Sequence, residues 1–163
     1  MASKKGIAVT VIILAAITAA SFSLWLVPQE NKTTLVVTDY QGYLDGVENI
    51  HEVLQESMDI EYYNLLNGKI SHNDYIAVTE VTSSQVTTQI SEFVTSKPSE
   101  EWQESYINYM NGMKKFNEYI IETKVLVNEL ENGTTDVSQT LDKIDSIKAE
   151  YMEYIKKSNE TRP

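Results

Sequence analysis

Residues 102–130 read WQESYINYMNGMKKFNEYIIETKVLVNEL, and their spacing decides the fold. Trp102, Tyr106, Tyr109, Met113, Phe116, Ile120, Thr123, Val127 and Leu130 follow one another at alternating steps of four and three. A helix turns once in about 3.6 residues, so this pattern keeps one stripe of its surface apolar along the whole length. Four unbroken heptads of this kind form the seam of a coiled coil or helical bundle. Glu100, Glu101 and Glu104 stand at the start, where the positive end of the helix dipole stabilises carboxylates. Asn132-Gly133 stops the run, glycine supplying a left-handed cap.

The same period extends to either side. Downstream, Thr135 or Asp136 caps a helix whose face is Val137, Leu141, Ile144, Lys148, Tyr151 and Ile155, with Lys156 and Lys157 suited to its end. Upstream, Thr38-Asp39-Tyr40-Gln41 fits a capping box. Tyr40, Leu44, Val47, His51, Leu54, Met58 and Leu65 then make one face, and Asn67-Gly68 ends it. Between these lies 71–97, opened by Ser71 with Asp74 three residues on, with Tyr75, Val78, Val81, Val86, Ile90, Phe93 and Val94 as its apolar face. Its Val-, Thr- and Ser-rich centre favours strand by propensity. The lack of Gly and Pro and the poor alternation predict helix instead, and Pro98 ends it or opens the next. Short connections make consecutive helices antiparallel neighbours. The expected fold is all-α, an up-down-up-down antiparallel four-helix bundle over 38–158, with 159–163 as a tail.

Ahead of the bundle, Gly6 to Val27 is uncharged and mostly apolar, preceded by Lys4 and Lys5 and followed by Pro28 and Glu30. At about 1.5 Å per residue a helix of this length covers roughly 33 Å, enough for a hydrocarbon core of about 30 Å. The lysines keep the N-terminus cytoplasmic by the positive-inside rule, and Trp25 suits the outer interface. The expectation is a single transmembrane helix within 1–28, a linker over 29–37, and an extracytoplasmic bundle. Two readings compete. Thr18-Ala19-Ala20 fits a signal-peptidase site, although apolar residues run on past it to Val27. Lys5-Gly6-Ile7-Ala8 resembles the class III signal of archaeal type IV pilins, although Val11 stands where bacterial pilins carry glutamate.

Charge and cysteine content narrow the function. Beyond Pro28 there are 11 basic and 24 acidic side chains, a net of −13. Nucleic acid needs clustered Lys and Arg, and an anionic lipid surface would repel such a domain. The charge suits a solvated exterior or a dock for a cationic partner. Without cysteine there is no disulfide framework and no thiolate chemistry. Asn31, Asn132 and Asn159 each begin a glycosylation sequon in a linker, turn or tail.

Nothing in the sequence converges on a reaction. Glu48-Asn49-Ile50-His51 is one Glu-x-x-His motif, but a di-iron bundle needs two, and Lys69 stands three residues before His72. There is no nucleophile elbow and no phosphate-binding glycine loop. No catalytic residue, metal or cofactor is expected. The ten tyrosines all fall on predicted helices. Tyr62, Tyr63, Tyr119 and Tyr154 lie off or beside the seams and are the candidate protein-contact residues.

A span followed by an external four-helix bundle resembles the sensor ectodomains of chemoreceptors and sensor kinases. Those receptors return through the membrane, whereas Ser158 to Pro163 carries no second span, so a sensor of this kind would need a partner to carry its signal inward. The stretch Lys4-Lys5-Gly6-Ile7-Ala8-Val9-Thr10 and its Ile/Ala/Thr-rich continuation is similar to uncharacterised membrane-anchored proteins of ammonia-oxidising archaea. The functional expectation is a non-enzymatic structural or accessory subunit of a membrane or envelope complex, with a protein partner or homo-oligomer. The alternative is an extracytoplasmic sensor or ligand-binding module with a pocket in its bundle; a pilin-like or secreted protein is more remote.

Overall fold

The computed structural model describes residues 37–163. The anticipated span, most of the linker and Asn31 lie outside these residues. Among the described residues no helix is long and apolar enough to cross a membrane. The fold is all-helical: α1 (Tyr40–Leu66), α2 (His72–Thr95), a 3-10 turn (Glu100–Trp102), α3 (Gln103–Glu131) and α4 (Ser138–Glu160), packed on one another with no strand among the described residues.

Local chemistry sets the boundaries. The cap of α1 is Asp39 and not Thr38: its carboxylate accepts a hydrogen bond from Gly42 N at 2.8 Å. Ser71 caps α2 as the spacing predicts, with Asp74 N donating to its hydroxyl at 3.1 Å. Gly68 and Gly133 close α1 and α3 with φ of +62° and +73°. The N-cap of α4 is Val137 and neither Thr135 nor Asp136, and its side chain makes no cap bond; Asp136, just before it, accepts from both the amide and the hydroxyl of Ser138, which holds its carboxyl below the usual range.

α2 resolves its conflict between strand propensity and helical length through its hydroxyls. Thr79, Thr82, Thr87 and Thr88 each donate to a carbonyl three or four residues back. With the hydroxyl satisfied, Thr79 and Thr82 turn their methyls into the core and are fully buried. Of the valines expected in the core, Val86 is fully buried and Val78 packs against the buried cluster, but the other two are not buried. Val81 is exposed, and Val94 is 60% exposed.

Contacts fix the directions. Tyr43 meets Phe93 and Tyr62 meets Tyr75, so α1 and α2 run oppositely. Ser83 bonds Asn117, and Lys124 pairs with Glu80 across α2 and α3. Lys115 pairs with Glu150, and Lys143 with Glu122, across α3 and α4. All nine residues of the predicted α3 stripe are buried or half-buried, although Trp102 sits in the 3-10 turn just before the helix. A second column of α3, Ser105, Gly112, Tyr119 and Leu126, is buried as well. Its small members let α4 come close. The Ser105 and Ser158 hydroxyls each donate to the other's carbonyl at 2.9 Å. A Cβ on Gly112 would lie 2.6 Å from Ile155 Cδ1.

The core is aromatic at one end and mixed below. Phe93 stacks on Tyr106 with ring centroids 4.5 Å apart, and the Tyr106 hydroxyl donates to the Tyr40 carbonyl at 2.8 Å. Leu44, Leu54 and Met58 are fully buried from α1, each contributing on the order of 2 kcal/mol by removal from water. The α1 and α4 backbones, by contrast, scarcely approach one another. The expected tail is no tail: Asn159 and Glu160 belong to the last turn of α4, and Arg162 binds back onto α1.

Candidate functional site: the groove between α1 and α4

On α1, Glu48, Glu52, Gln55 and Asp59 follow at steps of four, three and four, beside the apolar seam. This polar column borders α4, whose backbone comes close to that of α1 at few points. The result is an open groove. One part, of about 510 Å³, lies over His51 and Tyr109 between Glu52, Gln55, Met152 and Ile155. A neighbouring hollow, of about 610 Å³, is lined by α1 alone: it shares Glu52 and Gln55 and continues past Glu56, Asp59, Ile60 and Tyr63.

Ion pairs cross between the helices at two levels. The Arg162 guanidinium donates to Asp45 and to Glu48, both at 2.6 Å, and Asn159 adds a bond to Glu48 at 3.3 Å. Lys148 bonds Asp59 at 2.6 Å, and the buried Tyr119 hydroxyl donates to the same carboxylate at 3.2 Å. Burial first, then the Asp59 charge, raises the Tyr119 phenol above its ordinary range. Lys156 faces Glu160 at 3.6 Å. Glu52 and Glu56 have no ion-pair partner among the described residues, and both are exposed.

Beneath the groove lies His51, only 3% exposed. Its Nδ1 is 3.0 Å from the Tyr109 hydroxyl, and its ring packs on Phe116 at 4.8 Å between centroids. Desolvation pulls its pKa down to about 4, so the imidazole is neutral at pH 7. Burial, followed by the charges of Glu48 and Glu52, raises Tyr109, which keeps its proton. His51 Nε2 is buried and has no hydrogen-bond partner among the described residues. Such an atom is costly to leave unmet.

The Glu48–His51 motif does not converge. Glu48 turns outward to Arg162 and Asn159, while His51 turns inward to Tyr109. Among the described residues no group of three or more His, Asp or Glu side chains could hold a metal ion. His72 is on the surface, 3.4 Å from Glu131. What the groove offers is hydrogen bonding, negative charge and apolar contact.

The predicted contact tyrosines separate. Tyr63, 58% exposed, lines the groove with the Lys69 ammonium 4.6 Å from its ring centroid. Tyr62 is half-buried against Tyr75 and Tyr119. Tyr119 is 1% exposed and is a core residue, not a surface contact; its place in the Ser105–Gly112–Tyr119–Leu126 column carries it inward. Tyr154 is partly exposed beside Lys157. Asn132 is exposed at the end of α3, where its side chain donates to the Asn128 carbonyl, and Asn159 sits on the groove rim. Sequence reasoning left out Glu52, Gln55, Asp59 and Met152. The signal for the first three was the polar column beside the α1 seam, which reads equally as a solvent face, and Met152 stands off the apolar face read for α4.

No family model, no curated protein and no solved structure matches the chain.

Proposed function

We propose that this chain is a single-pass, membrane-anchored extracytoplasmic bundle that works without catalysis, as a structural or accessory subunit docking a protein partner in a membrane or envelope complex. The anchor and its orientation rest on Lys4, Lys5 and the apolar run from Gly6 to Val27. The docking role rests on one observation: the α1–α4 groove sets exposed Ile60, Tyr63 and Met152 beside Glu52 and Glu56, carboxylates that no cation neutralises among the described residues. Exposed aromatic and apolar side chains bordered by charge are the composition of a contact surface. Native mass after mild-detergent extraction, with mass spectrometry of what co-migrates, tests this reading. A defined complex with fixed partners is expected, and a lone monomer or homodimer would refute it.

The unpartnered His51 nitrogen favours a second reading, a sensor that binds a small ligand in the same groove. Its distinguishing result is a ligand-dependent rise in melting temperature with no co-purifying protein.

A further inference from the structure

We infer that the α1–α4 groove receives a cationic amphipathic helix supplied by the partner, an inference that rests on the docking reading above. Length is the first argument. The two adjoining hollows together follow α1 from Glu48 to Tyr63, which at about 1.5 Å per residue is roughly 22 Å, or about four helical turns. A helix laid in a groove between two others is a common mode of peptide recognition. Both hollows open to solvent on either side of the Lys148–Asp59 tie, so a small ligand would keep much of its surface in water, whereas an elongated segment would cover them.

Charge is the second argument. The lining carries five carboxylates, Glu48, Glu52, Glu56, Asp59 and Glu160, against the single ammonium of Lys156. Arg162, Lys148 and Lys156 already engage Glu48, Asp59 and Glu160, which leaves Glu52 and Glu56 one helical turn apart. Lys or Arg residues four apart on an incoming helix match that spacing. A second copy of this acidic chain would instead bring like charges together.

Shape and hydrogen bonding complete the fit. Met152 and Ile155 in the hollow between α1 and α4, and Ile60 and Tyr63 in the neighbouring hollow along α1, give an apolar seat in two patches for the opposite face of the helix. His51 is a buried polar side chain with one ring nitrogen unmet below that seat. A polar side chain entering between Gln55 and Met152 would supply the missing bond. Small residues close the α3–α4 seam by backbone approach, whereas polar side-chain ties, from Arg162, Asn159 and Lys148, cross between α1 and α4.

The test uses the full chain in zwitterionic nanodiscs. The probes are a Lys/Leu peptide of roughly 15 residues patterned as an amphipathic helix and a Glu/Leu peptide of the same pattern. Affinity is measured for the wild type, for the Glu52→Gln/Glu56→Gln variant, and for Glu100→Gln/Glu101→Gln, which removes the same charge at the 3-10 turn away from the groove. The expected result is binding of the Lys/Leu peptide, weakened about ten-fold by the groove variant and less than about two-fold by the distant one, with a shift of the His51 imidazole nitrogens. Equal losses in both variants, binding of the Glu/Leu peptide, no Lys/Leu binding, or an unmoved His51 would each overturn the inference. The two readings fail separately. If the Glu52→Gln/Glu56→Gln chain still co-purifies with fixed partners, the groove is not the dock although the subunit role stands. If the wild type extracts alone, the subunit role falls.

Discussion

Acid should loosen this bundle through His51, and the effect can be isolated. The ring is buried against Phe116 and Tyr109, and burial lowers its pKa from 6.5 to about 4. A base whose folded pKa lies below its unfolded one binds protons more readily when unfolded. Its neutral burial therefore carries no penalty above pH 6.5 or so, and stability is lost as the pH falls from there toward 4. The linkage integral gives a loss of about 1 kcal/mol at pH 5.5 and about 2 to 3 kcal/mol at pH 4.5, relative to pH 7.5. Carboxylates also protonate in this range, so the wild type alone cannot assign the loss. His51→Phe keeps the ring's bulk and removes its titration. Urea unfolding of the full chain in mild detergent, followed by far-ultraviolet circular dichroism at pH 7.5, 5.5 and 4.5, gives both curves. The wild type should lose more than the variant, by about 1 kcal/mol at pH 5.5 and about 2 to 3 kcal/mol at pH 4.5. Parallel losses at all three pH values would refute a buried neutral histidine.

Four further substitutions probe the packing. Arg162→Ala should cost about 1 to 2 kcal/mol by releasing Asp45 and Glu48, and the gap should shrink in high salt; salt-independent unfolding curves would contradict the bridge. Gly112→Leu should destabilise by at least about 1 to 3 kcal/mol in chemical denaturation, because Ile155 occupies the space above the glycine. Thr82→Val should stay within about 0.5 kcal/mol of wild type in the same assay, since the hydroxyl serves only its own helix; a loss above about 2 kcal/mol would show another role. Tyr119→Phe should lose about 1 kcal/mol, with Lys148 still holding Asp59, and a near-neutral result would mean that the hydroxyl contributes nothing net.

The helices were legible because their apolar positions repeat, and the misses have physical causes. The stripe from Trp102 to Leu130 packs as its spacing implies. The column Ser105, Gly112, Tyr119 and Leu126 has an equally regular spacing of seven, yet its small members Ser105 and Gly112 do not register as apolar. In α2, Thr79 and Thr82 count as polar until their hydroxyls are seen to bond within the helix, which is why Val81 and Val94 seemed the better core residues. The groove was hidden for a different reason. Glu48, Glu52, Gln55 and Asp59 form a visible polar column, but a polar column beside a seam is the same in sequence whether it borders water or another helix. Only the placement of α4 distinguishes the two. The pairing of Arg162 with α1 depends equally on tertiary placement, since more than a hundred residues separate the partners.

The seam between α1 and α4 also gives the bundle a mechanical direction. Side chains tie α1 to α4 at separate levels: Arg162 on Asp45 and Glu48, Asn159 on Glu48, and Lys148 on Asp59. A force along the helix axis loads these ties together, in shear. A force that lifts α1 outward from its Tyr40 end loads them one after another, the Arg162 tie first. The bundle should therefore resist stretching more than peeling. Tension arriving through the residues ahead of Tyr40 would open this seam before it disturbed the tightly closed pair α3 and α4.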